Sequence, residues 1–202
     1  VSGSAKVTLD SLHMTNGFAL VDGDSNGSGG AIYNMGILTV LDSIITNSVA
    51  QVSGGAIYNG GELIIQSGEV GKNSSKTLSQ ASLFNNNHAA LNGGAIASNG
   101  SLTIASLYFT SKTTDKEGVL TPNAGREIIF SNNSALNGGA VSVDGGTLKI
   151  SGMGSTHTDS DWSGGVQFLS NYASDNGGAL YGNGGEASDY LIVGATFAYN
   201  GA

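Results

Sequence analysis

The chain has 202 residues, with 33 Gly, one Pro, no Cys, 11% charged residues and a formal net charge of −8. That length supports one sizeable core, and the acidity excludes a basic face for nucleic acid or for an anionic membrane surface. The lack of Cys excludes disulfides and thiol nucleophiles, and no apolar run approaches the roughly 20 residues of a membrane helix.

A hydrophobic fraction of 39% separates the chain from a Gly-rich disordered linker. Gly and Asn are scattered throughout, which disfavours helix and points to short strands joined by turns. The opening VSGSAKVTLD lacks a basic segment followed by an apolar one, so it does not read as a signal peptide. Val7–Leu12 (VTLDSL) reads as a first strand, and its copy is LTVLDSI at Leu38–Ile44. Between them DGDSNG at Asp22–Gly27 places Asp22, Asp24 and Asn26 in alternation, like the front half of a calcium loop. The position of the bidentate Glu is Tyr33, so an Asp/Asn/Gly turn is the first reading and Ca²⁺ the alternative. No other cofactor is expected.

From Gly29 onward the chain repeats itself. A Gly-Gly-Ala-aliphatic tetrad occurs at Gly29–Gly30, Gly54–Gly55, Gly93–Gly94, Gly138–Gly139 and Gly177–Gly178, at spacings of 25, 39, 45 and 39 residues. Between tetrads lies an aromatic, two variable residues and Asn: Phe84–Asn87, Phe130–Asn133, Phe168–Asn171 and Phe197–Asn200, with IITN at Ile44–Asn47 as a degenerate copy. A short apolar strand follows each tetrad, beginning at Leu38, Leu63, Leu102, Leu148 and Leu191. Three strands per repeat and a shortest repeat of 25 residues suit one coil of a parallel β-helix. The predicted fold is all-β: a single domain over 1–202, a right-handed parallel β-helix of about six coils. The tetrad glycines would allow positive φ and close coil approach, and the Phe positions would stack inside. The Asn positions would sit at bends in the left-handed region, their amides bonding the next coil.

Coils differ in length, and the excess falls after the apolar strand and before the Phe, roughly at 66–81, 105–127 and 151–167. All three insertions are expected at one corner, forming one patch. Tyr108, Phe109, Lys112, Lys116 and Trp162 in these loops are the candidate contact residues.

The alternating GGA[ILV] and FxxN tetrads resemble the repeats of the chlamydial polymorphic membrane proteins, over about residues 29–202. The resemblance implies a secreted or surface-exposed β-helix, the passenger part of an autotransporter in the bacterial outer membrane, acting as an adhesin towards a host-cell or surface receptor, protein or glycan. The sequence shows no translocator barrel, and the repeat brings no catalytic residue with it. Asp42, Glu62, Asp144 and Glu186 share no register position, so no carboxylate ladder for a polysaccharide lyase or hydrolase appears and no enzyme is expected. His13, His88 and His157 lack metal-ligand spacing, and Thr39, Thr103 and Thr147 align too loosely for an ice-binding face. The alternative function is a filament, built by self-association through the open coil ends.

Overall fold

A computed structural model describes residues 1–23, 25–67, 81–106, 127–152, 165–184 and 190–202. No helix occurs among them, and the chain winds as a parallel β-helix of about six coils. Each full coil contributes one strand to each of four parallel sheets. The first sheet stacks β1 (Lys6–Asp10), β7 (Ile37–Leu41), β11 (Glu62–Gln66), β15 (Ser101–Ser106), β19 (Thr147–Gly152) and β23 (Tyr190–Val193). The second stacks β2 (His13–Thr15), β8 (Ile44–Thr46), β12 (Ser82–Asn85), β16 (Ile128–Ser131), β20 (Val166–Leu169) and β24 (Ala195–Ala198). The third holds β3 (Phe18–Ala19), β9 (Val49–Ala50), β13 (His88–Ala89), β17 (Ser134–Asn137) and β21 (Tyr172–Asn176). The fourth holds β6 (Ile32–Asn34), β10 (Ile57–Asn59), β14 (Ile96–Ser98), β18 (Val141–Asp144) and β22 (Leu180–Asn183). A small antiparallel hairpin, β4 (Val21–Asp22) with β5 (Ser25–Asn26), stands apart from these.

The sequence predicts three strands per coil, and the structure has four. The extra one is the third sheet, whose early strands are only two residues long and carry no apolar alternation to announce them. Elsewhere the period-two pattern is clear. In β11, Leu63 and Ile65 are buried and Ile64 is half-buried. Leu38, Leu63, Leu102 and Leu148 pair in register, as do Val40, Ile65, Ile104 and Ile150, so like stacks on like along the axis. Phe84, Phe130, Phe168 and Phe197 form a column with ring centroids 4.8, 4.9 and 4.8 Å apart. That spacing is the inter-strand distance of a parallel sheet, so the backbone ladder and the ring stack share one period.

The glycine tetrad divides its labour between its two residues. Gly54 has φ 69°, which places it in the left-handed region. Gly55 is packed so closely that a Cβ there would overlap the Gly94 carbonyl of the next coil.

Two repeat elements sit one residue away from their sequence-predicted places. Ile45, not Ile44, pairs with Phe84, so the degenerate copy is Ile45–Ser48, with Ser48 where the others have Asn. In the last coil Tyr190 pairs with Leu148, so that strand begins at Tyr190 rather than Leu191. The left-handed residue of the second-sheet bend is also not the motif Asn but the residue before it: Asn47 (φ 54°), Asn86 (55°), Asn132 (54°), Ser170 (54°) and Tyr199 (58°).

The motif asparagines instead run through the interior. Asn133 Oδ1 accepts from both the backbone N and Nδ2 of Asn87, each at 3.0 Å. Its Nδ2 donates to the Phe84 carbonyl and to Asn171 Oδ1, both at 2.9 Å. The pattern continues through Asn171 to Asn200 and ends at the Ile45 carbonyl on the other side. All four hydrogen-bonding positions of the buried Asn133 amide are therefore used. The coils from Ser48 to Asn200 are fixed in register to one another by this ladder as well as by the backbone.

Candidate contact surface

The corner between the first and second sheets is built in two ways. Three coils close it with a single left-handed residue: Ser11 (φ 55°), Asp42 (φ 43°) and Gly194 (φ 65°). In the other three coils the chain leaves β11, β15 and β19 and re-enters at β12, β16 and β20. Gln66, Ala105 and Ser151 are register partners on the departing side, and Ser82, Ile128 and Val166 on the returning side. Residues 68–80, 107–126 and 153–164, all outside the described residues, thus join the same two sheets at the same corner of three consecutive coils. The shared attachment expected from sequence is present. The proposed contact residues Tyr108, Phe109, Lys112, Lys116 and Trp162 belong to these segments and lie outside the described residues.

At the other end of the second sheet, where the chain bends into the third, the scaffold is held by polar ladders on its outer surface. Ser131 Oγ and Asn132 Nδ2 donate to Asn85 Oδ1 at 2.8 and 3.0 Å, and Asn86 Nδ2 donates to Asn47 Oδ1 at 2.7 Å. His88 Nδ1 lies 2.9 Å from Ser134 Oγ, so this imidazole serves the surface of the third sheet. Among the described residues no group of three or more His, Asp or Glu comes together as a metal cluster.

Of the calcium-loop candidates, Asp22 is exposed on the hairpin strand β4 and Asp24 lies outside the described residues. Asn26 is engaged as a turn residue: its Oδ1 accepts from the Ser28 N–H at 3.0 Å and its Nδ2 donates to the Tyr33 hydroxyl at 3.0 Å.

A second buried amide ladder is not legible in the repeat motifs. Asn34 Nδ2 donates to Asn59 Oδ1 at 2.7 Å, and Asn59 Nδ2 to Ser98 Oγ at 2.9 Å. These residues follow the tetrad by one strand turn, but the column changes from Asn to Ser to Val143 along the chain. On the outer face of the same sheet the Tyr33 and Tyr58 rings stack at 5.0 Å. Burial pushes the Tyr58 hydroxyl above the ordinary tyrosine value of 10.0, and Tyr33 and then Asp144 add to the shift.

The family model for the Chlamydia polymorphic membrane protein repeat matches residues 81–99, 127–144 and 165–183. The chain carries polymorphic membrane protein repeats. Each match runs from a second-sheet strand through the buried Asn to the fourth-sheet strand, so the repeat is the Phe–Asn–Gly-Gly spine of one coil. The first sheet and the corner segments fall outside the matched residues. No curated protein and no solved structure matches the chain.

Proposed function

We propose that the chain is a surface-exposed, non-enzymatic passenger segment of the autotransporter kind, lying outside the bacterial cell and adhering to a host-cell or surface receptor through its corner segments. One observation carries this reading. Consecutive coils of a stiff, ladder-locked spine all open at one corner, and the inserted stretches hold the chain's only Trp together with Tyr108, Phe109 and several Lys. A rigid scaffold presenting clustered loops is the usual architecture of a binding surface, and aromatic side chains are its usual anchors. The repeat supports the surface location, since it is the repeat of a family described as membrane proteins.

The test is adhesion of beads coated with the chain to epithelial cells. A variant with each of 68–80, 107–126 and 153–164 replaced by a short link like Asp42–Ser43 should keep its strand circular dichroism and lose adhesion. Undiminished adhesion of that variant would sink the reading.

A second reading is favoured by the last coil. Ile192 and Phe197 continue the interior columns of Ile150 and Phe168 and are 45% and 44% exposed, apolar positions on which either a further coil or a second copy would stack. Concentration-dependent light scattering that vanishes in Phe197→Glu would favour this end-to-end assembly over adhesion.

A further inference from the structure

One column of side chains runs along the outer face of the fourth sheet. Tyr33, Tyr58, Ala97, Ser142 and Tyr181 pair in register along it. The column begins as an aromatic stack and then breaks, because Ala97 and Ser142 carry no ring. At the break lies a groove of about 280 Å³. Tyr58, Ser142 and Asp144 line it from the sheet, and Ser28, Ser53 and Asn92 from the bend that precedes the tetrad.

The hydrogen bonding of this groove is incomplete among the described residues. Ser28, Ser53 and Ser142 are 8%, 7% and 2% exposed, yet their hydroxyls make no hydrogen bond with any described residue. Asn92 accepts from Asn137 Nδ2 at 3.2 Å through its oxygen, while its own amide nitrogen has no partner among the described residues. Asp144 spends one oxygen on Asn183 Nδ2, 3.0 Å away, which leaves the other for a donor. Buried hydroxyls without partners are rare in folded proteins because each costs about 1–3 kcal/mol. Three lining one groove point to an occupant that supplies the missing bonds.

The lining selects the chemistry of that occupant. Among the described residues Asp144 is the one charged group lining the groove, with no described Lys, Arg or His beside it, which disfavours phosphate, sulfate and carboxylate ligands. A lone carboxylate is too little to hold a metal ion. The hydroxyls and amide call for groups that both donate and accept, and the Tyr58 ring offers a flat apolar contact. The volume lies near the lower end of the roughly 300–1,000 Å³ typical of small-molecule pockets, which suits one ring rather than a chain of rings.

We infer that this groove binds a single neutral pyranose ring, its apolar face on Tyr58 and its hydroxyls bonded to Asp144, Ser142, Ser53 and Asn92. The site belongs to the fourth sheet and does not depend on the corner segments. Free glucose, galactose, mannose and N-acetylglucosamine are titrated against the full chain by saturation-transfer NMR, and a glycan array provides terminal sugars.

At least one sugar should bind saturably in one of the two arms, with a dissociation constant for the free sugar on the order of 1 mM. Asp144→Asn should weaken binding by about tenfold, the scale of one charge-assisted hydrogen bond. Ala97→Tyr, which continues the tyrosine column across the groove, should abolish it while circular dichroism stays unchanged. Asp144→Asn changes only an exposed side chain, so it keeps the test decisive if Ala97→Tyr misfolds. Absence of sugar binding in both arms overturns the inference and leaves the hydroxyls to water. Binding that survives Asp144→Asn undiminished overturns it as well.

Discussion

Replacing Asn133 by Ala tests whether the interior amide ladder holds the coils together. The substitution removes an acceptor that serves two donors of Asn87, the backbone N and Nδ2. It also removes two donors, to the Phe84 carbonyl and to Asn171 Oδ1. Asn87 Nδ2 keeps the Ile45 carbonyl, and Asn171 Oδ1 keeps the Asn133 backbone N, so neither is stranded. The Asn87 backbone N loses the acceptor that serves it here, in a side-chain environment with no access to water. One orphaned buried donor and the loss of the other three bonds together come to roughly 3–5 kcal/mol. The control is Asn137→Ala. Asn137 sits in an outer ladder, donating to Asn92 at 3.2 Å and accepting from Asn176 at 2.9 Å, where water can take over. Its loss should cost less than about 1 kcal/mol. Urea denaturation followed by circular dichroism reads both, and hydrogen exchange of the flanking coils locates the damage. If Asn133→Ala costs no more than Asn137→Ala, the interior ladder contributes nothing special and the reasoning fails.

Further expectations concern single positions. Gly55→Ala drives a methyl into the Gly94 carbonyl and should lower the melting temperature far more than Gly145→Ala, where φ is 74° but nothing lies within 4 Å. The second change should cost only the roughly 1–2 kcal/mol of a left-handed Ala. Phe130→Ala removes a ring from the middle of the aromatic column and should cost about 3–5 kcal/mol, measurable in the same urea titration. Tyr58 has a folded-state pKa raised by burial, then by Tyr33 and Asp144, so the unfolded chain loses this proton first as pH rises. Its contribution to stability is fully present below pH 10 and is lost as pH climbs through the folded value, so Tyr58→Phe should flatten the alkaline fall in stability. Equal alkaline profiles for the two proteins would contradict the assignment.

The spine was readable because each of its positions admits few residues. Gly suits a positive φ followed by a position where a neighbouring carbonyl leaves no room for a Cβ, and an amide supplies two donors and two acceptors along a buried column. Where the columns tolerate more than one residue, the sequence places an element one residue off. Ile44 and Ile45 are both aliphatic, so the letter Asn47 drew the degenerate motif one place early. Tyr190 takes a Leu position, which moved the last strand by one. The Asn34–Asn59 ladder leaves no repeating letter in the sequence because its next members are Ser98 and Val143. The groove beside Tyr58 arises from side chains that are small, and absence of bulk becomes visible only once the coils are stacked.

The register of the spine makes it nearly indifferent to how much chain is stored at its corner. Successive tetrads are 25 residues apart in one coil and 45 in another, yet they occupy equivalent places in the fourth sheet. Closing the longer loop costs only about 0.5 kcal/mol more, because closure entropy grows with the logarithm of length. That is less than half of one buried amide bond pair in the ladder. Sequence at the corner is therefore free to drift in length at little folding cost, while a methyl at Gly55 meets the Gly94 carbonyl. The same chain thus carries a surface that can be rewritten and a frame that cannot.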